Sequence, residues 1–451
     1  MESKRIKPCA LPAMIPIDKL VTDFPESKSA EQVLQCRFHS NVPYVNMVED
    51  EHEGVVVDTV VRSSVPSSSP AIFPRCGPRR ELYFNPRQVT AGIVTCGGLC
   101  PGLNSVIKDI SHALRELYGA KIVYGFVGGF AGIYSRPPVE LTEVNTRGIQ
   151  NLGGTILSSA RGGFDEHKIL QRLCELEVDQ LFVVGGDGTM RGANALAKAA
   201  KLFAKRPLAV LGVPKTIDND IAMIDRSFGF ETAVEETLRA VRSAKVEAAC
   251  SVNGVGVVKV MGRSAGFIAT QVTLASGAVD LCLIPEVPIV YDSGKNCGFA
   301  HLSRVVRAKG SAVVVIAEGA GEVILGRTQE VDAGGNRQLP ELGPWIKATV
   351  RDHLRKNGIE DATVKYIDPS YMVRSVPANA SDLVYCLTLS QGVVHAAMAG
   401  LTNCCAGLVH NRSVLIPLEM VLESSPRGVD PKGWTWERVV DATGQPFQLP
   451  C

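Results

Sequence analysis

The chain has 451 residues, of which 45% are hydrophobic, so it can bury large cores and is long enough for two domains. Its 47 Lys and Arg residues nearly balance its 46 Asp and Glu residues, leaving a formal net charge of +1. This balance argues against a general attraction to nucleic acid or to membrane surfaces. An anionic ligand must therefore be held by a local site.

The N-terminal residues and the cysteines indicate a cytoplasmic protein. No apolar run approaches the roughly 18 residues of a transmembrane helix. The basic start of the chain is interrupted by Pro12 and Pro16, which disfavours a cleaved signal peptide. The 13 cysteines include no CxxC pair, so we expect free, buried thiols in a reducing compartment.

Residues 1–88 lack sustained periodicity and contain an acidic stretch, "EDEHE", and a Ser- and Pro-rich stretch, "RSSVPSSSPAIFPRCGPRR". This composition predicts a loosely ordered extension that ends in a linker.

From residue 89, short β-branched runs such as "AGIVT" and "QLFVVG" alternate with amphipathic stretches such as "SVIKDISHALREL". The alternation predicts an α/β fold with doubly wound parallel sheets covered by helices on both faces. Ligands of such sheets bind beyond the C-terminal ends of the strands. The unusual polar clusters of this chain all follow predicted strands, so we interpret them as parts of one site.

The first cluster, "TCGGLCPGLN", includes Gly97 and Gly98 and opens a predicted helix. Glycines allow a close backbone approach, and a helix start offers N–H groups to a phosphate. A tight turn without a ligand is the alternative.

The second cluster, "VVGGDGTMRGA", places Asp187 between glycines at the end of a strand, with Thr189 following. A carboxylate here can hold Mg²⁺ while neighbouring amides cradle a phosphate. Alternatively, Asp187 or Thr189 caps the helix, which would leave the flanking glycines unexplained.

The third cluster, "VLGVPKTIDNDI", combines Lys215, Thr216, Asp218 and Asp220 within six residues. In an extended backbone Thr216, Asp218 and Asp220 would point to one side. One carboxylate could act as a base toward an acceptor hydroxyl, the other could help to fix a metal, and the amine could offset phosphate charge. The alternative is a surface turn with solvated charges.

Three later clusters are less specific. In "VKVMGRSAGFIA", Arg263 could bind a phosphate as a fork of donors or could be solvated. In "VIAEGAGE", Glu318 suits sugar hydroxyls or an exposed turn. In "YMVRSVPANASD", Tyr371 and Arg374 lie in a polar loop that is ambiguous on its own.

In this order, "GGLCPGLN", "GGDGT", "PKTIDND", "MGR" and "YMVR" resemble the 6-phosphofructokinase family over about residues 89–445. The resemblance implies two similar doubly wound α/β domains with the active site in the cleft between them, in an allosteric homotetramer. It implies a nucleotide- and metal-binding domain over residues 89–230, completed by part of residues 372–430. It also implies a sugar-phosphate-binding domain over residues 231–371 and a C-terminal tail over residues 431–451.

The resemblance implies transfer of the γ-phosphoryl group of Mg-ATP to the 1-hydroxyl of fructose 6-phosphate, as in glycolysis. Asp218 would be the base, Thr216 and Arg263 would assist catalysis, and Asp187 would bind Mg²⁺ with Asp220 nearby. The expected nucleotide contacts are Gly97, Arg161, Gly186, Asp187, Gly188, Thr189 and Lys215. The expected sugar-phosphate contacts are Thr216, Ile217, Asp218, Met261, Gly262, Arg263, Glu318, Lys365, Tyr371 and Arg374.

Some positions depart from the bacterial members of the family. Gly254 stands where those members have an Arg that reaches a neighbouring subunit, Tyr371 stands where they have His, and Lys365 stands where they have Arg. With Lys215, these features resemble the plant and trypanosomatid branch. The bacterial effector-site residues cannot be carried over.

The alternatives are a pyrophosphate-dependent phosphofructokinase, a non-catalytic subunit that binds sugar phosphate, and a lipid or NAD kinase. The presence of both Asp187 and Asp218 disfavours the second, and "MGR" with "YMVR" disfavours the third. For the donor, Gly188 leaves room for the α-phosphate of ATP where pyrophosphate-using relatives have Asp. Lys215, in contrast, is shared with those pyrophosphate-using relatives, so the two positions point to different donors. We favour ATP because Gly188 decides whether the α-phosphate fits.

Overall fold

The computed structural model describes residues 54–56, 72–79, 82–203, 206–290, 297–326 and 339–447. The chain forms two compact units, each assembled from three segments. The first unit comprises Met1–Thr216, Ile221–Phe228 and Pro377–Ser425, and the second comprises Ile217–Asp220, Gly229–Val376 and Pro426–Cys451.

The first unit contains two sheets within the described residues. Strands β1 (Gly54–Val56) and β2 (Ile72–Pro74) form an antiparallel pair. The main sheet is formed by β3 (Thr90–Thr95), β4 (Ile122–Phe126), β5 (Val139–Glu140), β6 (Gln180–Gly185), β7 (Ala209–Pro214), β12 (Cys404–Val409) and β13 (Arg412–Pro417). Its order is β13-β12-β7-β6-β3-β4-β5, with β5 and β13 antiparallel to their neighbours and the other pairs parallel.

Helices cover this sheet, which explains why the central strands are continuously apolar rather than alternating. Every residue of β3, β6, β7 and β12 is buried. The helices are α1 (Leu103–His112), α2 (Gly129–Ser135), α3 (Glu143–Thr146), α4 (Glu166–Glu175), α5 (Asp187–Phe203), α12 (Ala380–Met398) and α13 (Leu418–Ser424). Helix α1 continues as a π-helical turn over Ala113–Tyr118 and stops at Gly119, which has a φ of 76°.

The second unit is built on a smaller sheet that is parallel throughout. Its strands are β8 (Gly254–Val260), β9 (Leu281–Leu283), β10 (Ser311–Ala317) and β11 (Val364–Ile367), in the order β11-β8-β10-β9. Its helices are α6 (Phe230–Ala249), α7 (Phe267–Ser276), α8 (Gly298–Lys309), α9 (Glu322–Leu325), α10 (Leu342–Lys356), α11 (Ser370–Arg374) and α14 (Trp434–Thr443). Val257, Ile316 and Ile346 are fully buried in its apolar core.

The predicted α/β class is therefore confirmed, but several segment boundaries differ from the prediction, two of them with consequences for the site and the core. Residues 217–220, assigned from the sequence to the first domain, cluster with the second unit. Residues 431–451, expected to form a tail, contain α14, whose Trp436 is only 1% exposed. Contacts between residues far apart in the sequence explain both differences: Arg427 donates to the carbonyl of Asp220, and α14 packs against α7.

Part of the predicted N-terminal linker, residues 72–79 and 82–88, is packed in the structure and is not loosely ordered. Phe73 on β2 is fully buried in the core of the first unit, and Leu82 and Phe84 are also buried. Burial of these large side chains fixes the two stretches to the first unit, and the backbone N–H groups of Tyr83 and Phe84 also donate to the carbonyl of Met398 at the end of α12. Apart from β1, the rest of the predicted extension lies outside the described residues.

In the described part of the chain, the cysteines are free thiols, as predicted from the sequence. Most of them are buried, although Cys174 and Cys250 are exposed. Among the described helices, none combines the length and the apolar character needed to cross a membrane.

Candidate functional site

In the first unit, the glycine loops lie at the point where the strand order reverses. From β3 the chain moves to β4 on one side and later to β6 on the other, and Thr95 at the end of β3 lies opposite Val184 of β6. The crevice at such a reversal is the usual ligand site of open α/β sheets. The loops that begin at Gly97 and Gly186 therefore share one edge of the sheet.

Backbone and side-chain contacts join these loops to Lys215 and to Ala160, the residue before Arg161. Gly97 donates its N–H to the carbonyl of Ala160 over 3.0 Å, next to the exposed Arg161. Lys215 donates its backbone N–H to the carbonyl of Gly185 over 2.9 Å and its Nζ to the carbonyl of Gly98 over 2.8 Å. The buried Lys215 thus lies between the two glycine loops, where its charge could neutralise a phosphate.

The loop at Gly186 leads directly into α5. The backbone N–H of Thr189 donates to the carbonyl of Gly186 over 2.9 Å, and Thr189 is buried. Asp187 is exposed at the first residue of the helix and pairs with Arg191 over 3.0 Å. Gly188 has open space around it, with no atom within 4 Å of an added Cβ. The carboxylate and the start of the helix can therefore both be reached by a ligand.

In the second unit, the predicted residues follow three neighbouring parallel strands. Met261, Gly262 and Arg263 follow β8, and Glu318 follows β10, whose last residue Ala317 lies opposite Val260. Gly319 donates its N–H to the carbonyl of Gly262 over 3.1 Å. A Cβ at Gly319 would collide with the carbonyl oxygen of Arg263, so glycine is required for this close approach.

Asp218 lies beside this turn and accepts a hydrogen bond from the backbone N–H of Arg263 over 3.5 Å. Burial raises the pKa of its carboxyl to about 8, and the nearby carboxylates of Asp220 and Glu318 add to the shift. Its Oδ1 atom is buried although the residue as a whole is partly exposed. A carboxylate with such a pKa is suited to accept a proton near neutral pH.

Glu318 belongs to a mixed group of charges at the same strand ends. Burial raises the pKa of its carboxyl, while Lys259, Arg263 and Arg374 act in the opposite direction. Lys259 also pairs with Asp368 over 2.6 Å. Burial alone would raise the pKa of Asp368, but hydrogen bonds from Lys259 and Ser370 outweigh it and lower that pKa.

Lys259 and Asp368 were not predicted from the sequence. Lys259 is a single charged residue within the apolar strand β8, with a side chain 19% exposed. Because a mostly buried charge requires a partner, this position could have been recognised as part of a polar cluster.

Tyr371 and Arg374 are held together, whereas Lys365 has a different partner. The Arg374 guanidinium lies over the Tyr371 ring, 4.8 Å from its centroid, and Tyr371 is 75% exposed. Lys365 on β11 pairs with Glu247 of α6. The Tyr371–Arg374 pair therefore presents a phenol and a cation to solvent.

The prediction that Thr216, Asp218 and Asp220 point to one side of an extended strand is wrong. Asn219 adopts a φ of 56°, in the left-handed region, so the backbone turns between the two aspartates. Ile217 is buried, and the carbonyl of Thr216 accepts a hydrogen bond from Ser227 over 2.6 Å.

The chain contains the phosphofructokinase domain over residues 90–397. It belongs to the phosphofructokinase family. The predicted family is therefore confirmed. The chain is 44% identical to "ATP-dependent 6-phosphofructokinase 7" of Arabidopsis thaliana over 84% of this chain and 78% of that protein. It is 45% identical to "ATP-dependent 6-phosphofructokinase" of Amycolatopsis methanolica over 92% and 94% of the two chains. The corresponding Trypanosoma cruzi protein is 41% identical over 92% of this chain and 84% of its own.

Solved phosphofructokinases share the fold at lower identity. A "Pyrophosphate-dependent phosphofructokinase" from Marinobacter aquaeolei matches with a TM-score of 0.65 and 19% identity, over 80% of this chain and 93% of its own. Phosphofructokinase from Pichia pastoris matches with a TM-score of 0.61 and 23% identity, over 79% of this chain and 37% of that longer chain. These similarities show the fold.

Proposed function

We propose that this phosphofructokinase transfers the γ-phosphoryl group of Mg-ATP to the 1-hydroxyl of fructose 6-phosphate, giving fructose 1,6-bisphosphate and ADP. The names of relatives at 41–45% identity support this reaction. The observation that carries the proposal is the position of Asp218, a carboxylate with a raised pKa beside Arg263 and Glu318. Phosphoryl transfer depends chiefly on positioning and charge neutralisation, which such a group can supply.

In the second unit, we assign the sugar phosphate to the ends of β8, β10 and β11. Asp218 would take the proton of the 1-hydroxyl, and Arg263 would stabilise charge on the transferred group. Glu318 would accept hydrogen bonds from sugar hydroxyls. Tyr371 and Arg374 would bind the 6-phosphate, since their stacking holds the guanidinium in place before a ligand arrives.

In the first unit, we assign the nucleotide to the crevice between the β3 and β6 loops. Helix α5 starts there, so its free N–H groups and Lys215 would face the phosphates. Lys215 and Asp218, which we assign to the donor and the acceptor, are three residues apart in the sequence.

The residues present suit Mg²⁺, which we propose as the cofactor. Among the described residues, no group of three or more His, Cys, Asp or Glu side chains could enclose a metal ion. Mg²⁺ commonly binds through one or two carboxylates, with phosphates and water completing its shell. Asp187 and Asp220 would be those carboxylates, with Asp187 giving up its pairing with Arg191. The ion would neutralise phosphate charge.

We further propose a homotetramer in the cytoplasm, as is usual for the family. Two Arabidopsis relatives are named as chloroplastic.

A coupled assay on fructose 6-phosphate with ATP and then pyrophosphate as donor tests the reaction. We expect turnover with ATP and little with pyrophosphate. Turnover with pyrophosphate but not with ATP would show that pyrophosphate is the donor, while fructose 6-phosphate would remain the acceptor. Sugar-phosphate binding without turnover by either donor would instead indicate a regulatory subunit.

Replacement of Arg374 by Ala should chiefly weaken the binding of fructose 6-phosphate. A charge-assisted hydrogen bond to a phosphate contributes roughly 1.5–3 kcal/mol, so the KM for the sugar should rise about 10–150-fold. The KM for ATP should change little. Steady-state kinetics on Arg374→Ala would measure both constants, with Arg307→Ala, an exposed arginine on α8, as the control. An unchanged sugar KM would contradict the assignment.

A further inference from the structure

The segment that follows α13 contacts the loop that carries Asp218 and Asp220. Arg427 donates its backbone N–H to the carbonyl of Asp220 over 2.8 Å. Its Nε donates to the carbonyl of Asn219 over 3.0 Å. A single arginine, more than 200 residues away in sequence, thus binds two consecutive carbonyls of the loop.

These carbonyls lie where the loop needs external support. Asn219 is buried and has a φ of 56°, a conformation that is uncommon for residues other than glycine. The turn at Asn219 sets the direction of the carboxylates on either side of it. Partially buried carbonyls in an irregular turn must find donors outside the turn, and Arg427 supplies two.

The segment itself is fixed to the turn that carries Arg263. Val429 donates its N–H to Glu286 Oε1 over 2.7 Å, and the same oxygen accepts from the N–H of Gly266 over 2.9 Å. The Arg427 guanidinium also lies over the Phe267 ring, 5.3 Å from its centroid. Gly266 and Phe267 follow Arg263 by three and four residues. The segment of residues 427–429 therefore connects the Asp218 loop to the Arg263 turn.

We propose that Arg427 is a positioning residue for phosphoryl transfer, whose side chain holds Asp218 in register with Arg263 by fixing the carbonyl of Asn219. Its backbone N–H, which the variants below retain, fixes the carbonyl of Asp220. The proposal rests on the function proposed above. Arg427 acts through the backbone of the loop and has no part in the chemistry. Lysine cannot replace it fully, because an ammonium lacks both the Nε–H donor and the planar group that lies over the Phe267 ring.

Kinetics of Arg427→Ala and Arg427→Lys test the proposal. Misplacement of a catalytic group by about 1 Å can cost on the order of 100-fold, so we expect Arg427→Ala to lower kcat about 10–100-fold. The KM for either substrate should change less than about threefold. Arg427→Lys should fall between Ala and wild type, and added guanidinium ion should restore part of the kcat of Arg427→Ala. Arg307→Ala is the matched control, since Arg307 also donates to a backbone carbonyl, that of Asn357, in the same unit.

Hydrogen exchange provides a readout that does not depend on activity. Peptides covering residues 217–222 should exchange faster in Arg427→Ala than in wild type, while peptides from β12 should be unchanged. A wild-type protein without kinase activity would refute the proposed reaction and leave this measurement interpretable. Unchanged kcat and exchange in Arg427→Ala would overturn the positioning role. Faster exchange over the whole second unit, with no rescue by guanidinium, would assign Arg427 to general stability instead and would equally overturn it.

Discussion

Asp218→Asn is expected to lower the turnover of fructose 6-phosphate by about 10²–10⁴-fold, the usual contribution of a general base. The amide keeps the shape of the carboxylate and can still contact the sugar, so the KM for the sugar should change far less. Asp441→Asn is the matched control, because Asp441 is an exposed carboxylate on α14 of the same unit. Near-normal turnover by Asp218→Asn would exclude Asp218 as the base.

The same substitution should make the metal-free protein more stable above about pH 4. Burial raises the pKa of Asp218 to about 8 in the folded protein, against about 3.9 in an unfolded chain. Between these values the folded state binds more protons than the unfolded state, so this carboxyl lowers stability progressively as the pH rises. Asparagine at this position does not ionise, so the variant does not lose this stability as the pH rises.

Thermal unfolding in EDTA at several pH values measures this effect. The midpoint of Asp218→Asn should exceed that of wild type by a margin that grows from about pH 4 to about pH 8 and then levels off. Asp441→Asn should show no such growth. A constant or shrinking margin would mean that the carboxyl is not held in an unfavourable, buried environment.

Gly188→Asp is expected to reduce kcat/KM for ATP by roughly 10³-fold. Two like charges about 4 Å apart repel by roughly 4 kcal/mol at an effective dielectric constant near 20, and each 1.4 kcal/mol corresponds to a factor of ten. The structure has open space around Gly188, and its φ lies outside the left-handed region, so the new side chain fits without strain. An added carboxylate in the first turn of α5 should also leave the thermal midpoint unchanged or slightly raised.

Gly188→Asn separates the charge of the new side chain from its bulk. If repulsion of the α-phosphate dominates, Asn should retain much more ATP activity than Asp; if bulk dominates, the two variants should be equally impaired. The KM for fructose 6-phosphate should be unchanged in both. Full ATP activity in Gly188→Asp would show that the nucleotide does not pass over the start of α5.

The strand ends could be predicted from the sequence because local patterns determine them. The glycine loops at Gly97 and Gly186 follow continuous apolar runs, and such runs are typical of parallel strands covered on both faces. Parallel neighbours bring their C-terminal ends together, so clusters far apart in sequence could be assigned to a common edge. The same reasoning identified Arg263 and Glu318 in the second unit.

The turn between Asp218 and Asp220 could not be predicted, because distant contacts set it. An alternating pattern suggested extended backbone, but the hydrogen bonds from Arg427 stabilise a left-handed conformation at Asn219. Arg427 lies in a short stretch without regular periodicity, so nothing in its own neighbourhood indicated a role. Likewise, the assignment of Trp436 to a tail failed because its burial depends on packing of α14 against α7.

The discontinuous first unit has a consequence for protein synthesis. Strand β7 pairs with β6 on one edge and with β12 on the other, and β12 is made about 190 residues later. At 5–20 residues per second, the ribosome needs about 10–40 s to supply that partner. During this time β7 is an open, wholly apolar edge strand, the kind of surface that pairs with other chains. We therefore expect nascent copies on neighbouring ribosomes to be prone to pairing through β7 in this interval, and a chaperone that shields β7 to raise the yield of folded enzyme.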